Sequence, residues 1–135
     1  MITSCLPDAG RLAFLQGKIQ PTHRFKVALY TKEANLDRDT ISYTKEGEVV
    51  AEGYEPMVIP GQPVFEIKDH VAVMRWEEEV TWDKVTISAD GCIIFDADMD
   101  NLVLVVGAFD RTISSTEHKF TVIPSMDLIT FANGA

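Results

Sequence analysis

The sequence contains neither a cluster of basic residues nor a long apolar run. Its 135 residues include 12 Lys and Arg against 21 Asp and Glu, and no two basic residues are adjacent. Because a nucleic-acid-binding protein neutralises phosphates with clustered Lys and Arg, we expect no nucleic-acid partner for this chain of net charge −9. No apolar stretch approaches the roughly 20 residues of a membrane helix, so we expect no membrane partner either.

Cysteine is scarce as well. Only Cys5 and Cys92 are present, and the lack of a CxxC pair argues against a zinc knuckle or a redox motif. Cys92 falls in a predicted strand and Cys5 lies near the first residue, so we predict two reduced thiols rather than a disulfide. The first residues lack a basic segment followed by an apolar one. We therefore expect no secretory signal and synthesis in a cytoplasm.

The motifs of common catalytic sites are also missing. There is no GxSxG, no phosphate-binding glycine loop and no HExxH, and His23, His70 and His118 lie far apart. The hydroxyls of Ser114–Thr116 have no predicted base beside them. The consecutive Glu77–Glu79 alternate between the faces of a strand, so they predict a charged edge and not two opposed catalytic acids. We predict no enzymatic activity and no cofactor, although a triad assembled only by folding leaves no motif and keeps a small hydrolase open.

The strongest pattern that is present is a series of three predicted strands in the second half of the chain. Apolar and polar residues alternate over Val85–Ala89, as in a strand with one buried face. Cys92–Phe95 and Leu102–Val106 are apolar at both parities, which indicates that both of their faces are covered. We therefore place this hairpin at the centre of a β core. Asp90-Gly91 is predicted to end the first of the three strands.

The rest of the chain predicts a mainly β fold. About nine strands follow one another at spacings of roughly 8–12 residues, and no βαβ alternation is present. This pattern is typical of a single antiparallel β-sandwich or a jelly-roll-like domain. A short helix is predicted over residues 7–16, because Pro7 and Asp8 suit a first helical turn.

These elements divide the chain into an N-terminal helical segment, residues 1–23, and a β-sandwich domain, residues 24–135. The polar segments 31–48 and 110–117 are predicted to be loops. Short strands are predicted at 48–51 and 128–132.

The acidic turn between the two apolar strands is the sharpest site-like feature. Asp96, Asp98 and Asp100 alternate like the first ligands of a calcium loop. Asn101 stands where such a loop requires glycine, and Gly107 stands where it requires the closing glutamate, so an EF-hand is excluded. A solvated hairpin turn is predicted, and a looser calcium site stays open.

Two tryptophans, Trp76 and Trp82, flank Glu77–Glu79. We expect both in the core. If they were exposed, they would instead mark a binding surface.

Three segments of the chain resemble small tailed-bacteriophage virion structural proteins. The first is Lys26–Tyr54, KVALYTKEANLDRDTISYTKEGEVVAEGY, and the second is Val80–Asp110, VTWDKVTISADGCIIFDADMDNLVLVVGAFD. The third is FTVIP at Phe120–Pro124, with ITFA closing the match. Those proteins carry a pattern close to KVALYT…ANL…T.YT..GEV.G.GY, followed by TWT.ATITA.GALIY and FTV.FP. The chain departs from it at Ala51-Glu52 and in the proline-rich segment 56–63.

The resemblance implies phage origin and a structural role in the virion. Our hypothesis is a capsid cement or decoration protein on the exterior of the head, made in the bacterial cytoplasm. Its partners would be the major capsid protein and copies of itself, as a homo-dimer or homo-trimer. An acidic surface suits the outside of the head better than the DNA-facing inside. The alternative is a tail- or fibre-associated jelly-roll module that contacts a receptor, a glycan or the head–tail junction.

The candidate contact residues lie in the predicted helix, in the loops 31–48 and 54–63, and at the two tryptophans. They are Leu12, Phe14, Leu15, Asn35, Leu36, Tyr43, Tyr54, Met57, Trp76 and Trp82. The other expectation for the helix is that it only caps one open end of the β core.

Overall fold

The computed structural model describes residues 1–129, with side chains through residue 124. Within that range the chain forms one helix and seven strands, so the predicted mainly β fold with a short N-terminal helix is confirmed. The elements are α1 (Asp8–Leu15), β1 (Phe25–Tyr30), β2 (Met57–Val58), β3 (Val64–Lys68), β4 (Val71–Arg75), β5 (Val80–Asp96), β6 (Leu102–Val122) and β7 (Ser125–Ile129).

The strands form two antiparallel sheets that resemble a sandwich. One sheet has the order β2-β1-β5-β6, and the other has the order β3-β4-β7. Trp76, which follows β4, packs edge-on against Phe25 of β1 with ring centroids 5.5 Å apart. The two side chains belong to one hydrophobic cluster, so the sheets share a core.

Strands β5 and β6 form one long hairpin. Their hydrogen-bonded ladder contains irregularities but continues past them. The register shifts between Ala89 and Gly91, and the Asp90 carboxylate accepts a hydrogen bond from the hydroxyl of Thr112 on β6. Asp90-Gly91 therefore forms an irregularity within β5, and the prediction that it ends a strand is wrong. This fusion is one reason why the described residues contain seven strands and not nine.

The segment 110–117, which was predicted to be a loop, belongs to β6. Its polar side chains bond across the ladder, as Ser114 does to Ser88 at 2.8 Å. Further along, Thr121 pairs in the same way with Thr81 at 3.1 Å. A strand whose side chains mostly face solvent has the composition of a loop, which explains the error.

The two faces of the hairpin carry two separate hydrophobic clusters. Ile94 lies in the cluster between the sheets, and Ile93 and Phe95 lie in a second cluster on the opposite face. Leu36 from the loop 31–48 belongs to this second cluster and covers it. Successive side chains point to opposite faces of a strand. The two clusters therefore cover both faces of the hairpin, as predicted.

The remaining predictions for loops and termini have mixed outcomes. Residues 31–48 contain no regular strand, but isolated bridges tie Ser42 to Leu102 and Glu48 to Tyr30. The strand predicted at 48–51 is wrong, since only that single bridge forms. The strand predicted at 128–132 overlaps β7 through Ile129, and residues 130–132 lie outside the described part of the chain.

The two cysteines are free, as predicted. Cys92 packs against the cluster between the sheets, whereas Cys5 packs against the cluster on the other face. The sheet therefore separates the two thiols, and burial raises the pKa of Cys92 to about 12.

Helix α1 packs against β6 at unusually close range. A methyl group at Gly10 would lie 2.6 Å from the carbonyl oxygen of Val103. Gly10 and Ala13 are buried on this inner face, so the small residues allow the helix backbone to approach the strand. The opposite face of the helix carries Leu12 and Leu15 into solvent.

We expect Gly10→Ala to lower the free energy of unfolding by about 1–3 kcal/mol, because the added methyl overpacks the contact with Val103. This loss would occur although alanine is the better helix former by about 1 kcal/mol. Urea denaturation monitored by circular dichroism measures the change. The control, Leu15→Ala at an exposed position of the same helix, should stay within about 0.5 kcal/mol of the parent. A Gly10→Ala variant as stable as the parent would contradict the close packing.

Candidate functional site

The outer face of α1 and a neighbouring loop residue form an exposed apolar surface. Leu12, Leu15 and Ile41 are 54%, 80% and 60% exposed, respectively. Leu12 and Leu15 are three residues apart on the helix and therefore share a face. We call these three residues the α1 patch. Large apolar side chains grouped on a strongly acidic protein mark an interaction surface more often than isolated ones do.

A shallow groove of about 330 Å³ runs beside the α1 patch. Its walls are apolar and come from three parts of the chain, which are α1, the loop around Ile41 and the turn before β6. Lys18 and Asp100 add one charge of each sign. The lining residues are Ala9, Leu12, Ala13, Gln16, Lys18, Ile41, Ser42, Met99, Asp100 and Leu102.

Backbone hydrogen bonds fix the loop side of this groove to the sheet. The carbonyl oxygen of Ile41 accepts the Val103 N–H at 2.8 Å. The Tyr43 N–H donates to the carbonyl oxygen of Asn101 at 2.9 Å, and the Tyr43 ring stacks on Phe95 with centroids 4.8 Å apart. Ile41 is therefore held in place beside the helix and does not sit on a free loop.

The acidic turn lies next to the groove, and its first two carboxylates are already engaged. Asp96 is fully buried and its Oδ2 lies 2.6 Å from Nδ1 of His23. Asp98 accepts hydrogen bonds from the Arg24 N–H at 2.7 Å and from the Arg24 guanidinium at 2.9 Å. The hydrogen bond from the Arg24 side chain lowers the pKa of Asp98. The prediction of a simply solvated turn is wrong for Asp96, because the turn is locked to the start of β1.

The geometry of this turn does not favour the open calcium alternative. Among the side chains that the structure describes, through residue 124, no group of three or more His, Cys, Asp and Glu is placed to hold a metal ion. Asp100 and Asn101 have positive φ angles of 53° and 57°, a conformation that Asp and Asn tolerate in tight turns. These residues therefore shape the reversal of the chain into β6.

A carboxylate between two tyrosines holds the long loop 31–54 against β1. Glu48 accepts hydrogen bonds at 2.6 Å from the hydroxyls of both Tyr43 and Tyr54. The Tyr54 hydroxyl also accepts the Leu29 N–H at 2.8 Å, and the Tyr30 hydroxyl donates to the Thr44 carbonyl at 2.6 Å. Both hydroxyls already have hydrogen-bond partners within the chain, so we interpret Tyr43 and Tyr54 as residues that stabilise the loop.

The predicted contact residues divide between the core and the surface. Leu36, Trp76 and Trp82 are buried in the hydrophobic clusters, so their assignment as contact residues is wrong. The expectation that both tryptophans lie in the core is confirmed. The Trp82 indole N–H donates to the Glu55 carbonyl at 2.8 Å, whereas the Trp76 indole N–H has no partner among the described residues.

The other candidates lie at or near the surface. Phe14 and Met57 are half-buried and pack against the cluster between the sheets. Asn35 is exposed, and its side-chain oxygen accepts a hydrogen bond from the amino group of Met1 at 2.8 Å. Of the ten predicted residues, the fold brings Leu12 and Leu15 together in the α1 patch. Ile41 was missed as a contact residue, although it is one of the few large apolar residues, with Leu36 and Tyr43, in the mostly polar segment 31–48.

The His23–Asp96 pair is the one arrangement on this face that resembles part of a catalytic site. Among the described residues, the His23 ring hydrogen-bonds only to Asp96, and no hydroxyl or thiol is bonded to it. A base needs a nucleophile or a substrate proton within reach to act, and here the pair instead joins the acidic turn to β1.

Two further grooves open on the surface. One, of about 380 Å³, lies where Tyr43 and Phe95 meet β2, with Lys26 and Glu55 at its margin. The other, of about 360 Å³, follows β6 past Phe109 and Ile123. We take the α1 patch as the candidate binding surface, because Leu12 and Ile41 are both exposed and line the same groove, and Leu15 extends the exposed apolar face of the helix.

Comparison with known proteins identifies no relative. No protein-family model matches the chain, and no significant match is found among curated proteins or solved structures. No helix among residues 1–129 is long and apolar enough to cross a bilayer.

We expect all three tyrosines of the chain to resist ionisation while it is folded. Burial is the largest cause that raises the pKa of Tyr30, Tyr43 and Tyr54. The hydrogen bond to Glu48 raises the pKa of Tyr43 and Tyr54 further, because it favours the protonated phenol. A pKa that is raised in the folded state gives stability that is complete below pH about 10 and is lost as the pH rises above it.

Phenolate absorbance measured during an alkaline titration tests this expectation, with circular dichroism recorded in parallel. Phenolate should form above pH 10 and together with loss of the fold. The control is the chain unfolded in urea, which should titrate near pH 10. Reversible titration of any tyrosine near pH 10 in the folded protein would contradict the burial of that hydroxyl.

Proposed function

We propose that this protein is a bacteriophage virion structural protein that decorates the exterior of the capsid, with the α1 patch as the surface that docks on the major capsid protein. The observation that carries the proposal is the exposure of three large apolar side chains, two on a helix that is packed closely against the β core and one, Ile41, on the loop beside it. Gly10 and the Ile41 backbone hold this surface in a fixed shape, which reduces the entropy lost on docking.

The resemblance of Lys26–Tyr54 and Val80–Asp110 to phage virion proteins supports the virion assignment. The net charge of −9 supports an exterior position, because packaged DNA would repel an acidic protein. The β-sandwich-like core supports a structural role, since it holds the α1 patch on a rigid base.

The α1 patch is small, so the strength of the proposed docking depends on the number of copies that are bound. Full burial of one large apolar side chain contributes about 1.5–3 kcal/mol, and these three side chains are already partly covered. One docked copy would therefore bind modestly. Copies at symmetric positions on a shell, linked to each other, add their contacts and stabilise the head together.

The tail- or fibre-associated module remains the alternative location. Exposed tryptophans beside Glu77–Glu79 would have favoured a glycan-binding face, but Trp76 and Trp82 are buried. Finding the protein on the head would support the capsid proposal, and finding it on the tail would support the alternative.

Purified protein should bind expanded heads that lack it and raise the temperature at which those heads rupture. The double variant Leu12→Glu and Leu15→Glu should bind at least about tenfold more weakly, because it places two carboxylates in an apolar contact. Co-sedimentation with heads measures binding, and a dye-release thermal scan measures rupture.

Val50→Glu is the matched control, because Val50 is 95% exposed and lies outside the α1 patch. This variant should bind like the parent. Equal binding by the Leu12/Leu15 variant would remove the α1 patch from the contact. Failure of the parent protein to bind heads, or labelling confined to the tail, would overturn the decoration role itself.

A further inference from the structure

Strand β3 is an edge strand that exposes apolar side chains. Within residues 1–129 it pairs only with β4. Phe65 and Ile67 are 45% and 71% exposed. Phe65 lies opposite Met74, which is fully buried, so the two side chains share the core-facing side of the sheet. The core-facing side of the sheet therefore extends past the covered core and leaves Phe65 and Ile67 exposed.

The turn between β3 and β4 determines which backbone groups of β3 are free. Asp69 and His70 have φ angles of 50° and 66°, as in a two-residue type I′ turn. Such a turn is flanked by a hydrogen-bonded pair, here Lys68 and Val71. Because bonded and non-bonded pairs alternate along an antiparallel ladder, the N–H and C=O groups of Phe65 and Ile67 point away from β4. The outer edge of β3 therefore offers donors and acceptors beside its two exposed apolar side chains.

We propose that β3 pairs antiparallel with β3 of a second copy of this chain, about a two-fold axis that passes beside Ile67. In this register the N–H of Ile67 in each copy donates to the C=O of Ile67 in the other. The two three-stranded sheets join into one of six strands. Since directly opposed residues share a face, the two Ile67 side chains meet on the core-facing side, and Phe65 of each copy lies diagonally across from Ile67 of the other.

Charge complementarity favours this register over the neighbouring one centred on Glu66. The register centred on Ile67 places Glu66 of each copy opposite Lys68 of the other, on the face away from the apolar side chains. Glu66 already bonds to Arg75 within its own chain, with Oε1 and Nε 2.6 Å apart. Each carboxylate therefore lies between two cations. The neighbouring register, centred on Glu66, would set the two Glu66 carboxylates directly opposite each other, and like charges in that position are destabilising.

The pairing is expected to be weak in dilute solution. Stable interfaces bury about 1,200–2,000 Å², which is more than two five-residue edge strands supply. Association should therefore depend on concentration and become important where copies are held close together. The inference stands on the β3 edge alone and does not depend on the proposed virion role, which rests on the α1 patch.

Sedimentation velocity over a range of protein concentrations tests the pairing. The parent chain should shift from monomer to dimer as the concentration rises. Ile67→Lys should weaken association at least about tenfold, because it sets two ammonium groups against each other at the two-fold axis. Ile67 is largely exposed, so this variant should keep the parent's thermal midpoint. Val50→Lys is the matched control and should associate like the parent.

Cross-linking tests the register. An Ile67→Cys variant should form an intermolecular disulfide under mild oxidation, because bonded antiparallel partners have α-carbons about 5.5 Å apart, within disulfide range. Val50→Cys serves as the control and should form little disulfide. The native thiols of Cys5 and Cys92 are partly buried and have raised pKa values, which limits their background reaction.

Three outcomes would overturn the self-pairing. One is a parent chain that stays monomeric at every concentration. Another is a dimer that survives Ile67→Lys but is lost on Leu12→Glu with Leu15→Glu, which would assign self-association to the α1 patch. The last is a monomer whose binding to heads is lost on Ile67→Lys, which would assign the β3 edge to the shell protein instead.

Discussion

Antiparallel pairing between β5 and β6 extends from Val80 opposite Val122 to Asp96 opposite Leu102. The two hydrophobic clusters form on the two faces of the sheet that this hairpin builds. One face meets the second sheet, and the other is covered by the first residues and the loop 31–48. The position of α1 follows from the same hairpin, because Gly10 fits against the backbone of β6.

The outer edge of β6 is protected in two different ways along its length. Near the acidic turn, the edge of β6 is occupied by hydrogen bonds to Cys5, to the Ile41 carbonyl and to the Ser4 hydroxyl. Further along, register shifts and a positive φ at Glu117 interrupt the regular ladder, which discourages edge-to-edge pairing. Strand β3 has no comparable interruption in its pairing with β4 and carries exposed apolar residues. The contrast between a blunted edge and an open one is the physical basis for assigning self-association to β3.

The two proposed surfaces lie on different elements, and under the proposed decoration role one would contact the shell and the other a second copy of the chain. The α1 patch offers side chains from a helix and therefore suits a partner that supplies an apolar pocket or ridge. The β3 edge offers backbone groups and suits another strand. A protein with one surface for a shell and another for its own copies can link neighbouring positions of that shell. Both surfaces are small, so their effect depends on many copies being held close together.

Periodicity was enough to determine the mainly β fold, the N-terminal helix and the burial of both faces of the central hairpin. These features depend on local patterns in the sequence: apolar and polar residues alternate over Val85–Ala89, and Cys92–Phe95 and Leu102–Val106 are apolar at both parities. Local composition failed at Asp90-Gly91 and at residues 110–117, since a long ladder can absorb a bulge and a solvent-facing strand resembles a loop. Tertiary contacts alone decided that Asp96 is buried against His23 and that Ile41 joins Leu12 and Leu15. The physical reason is that exposure depends on which distant segments cover a side chain, whereas periodicity records only the face on which it lies.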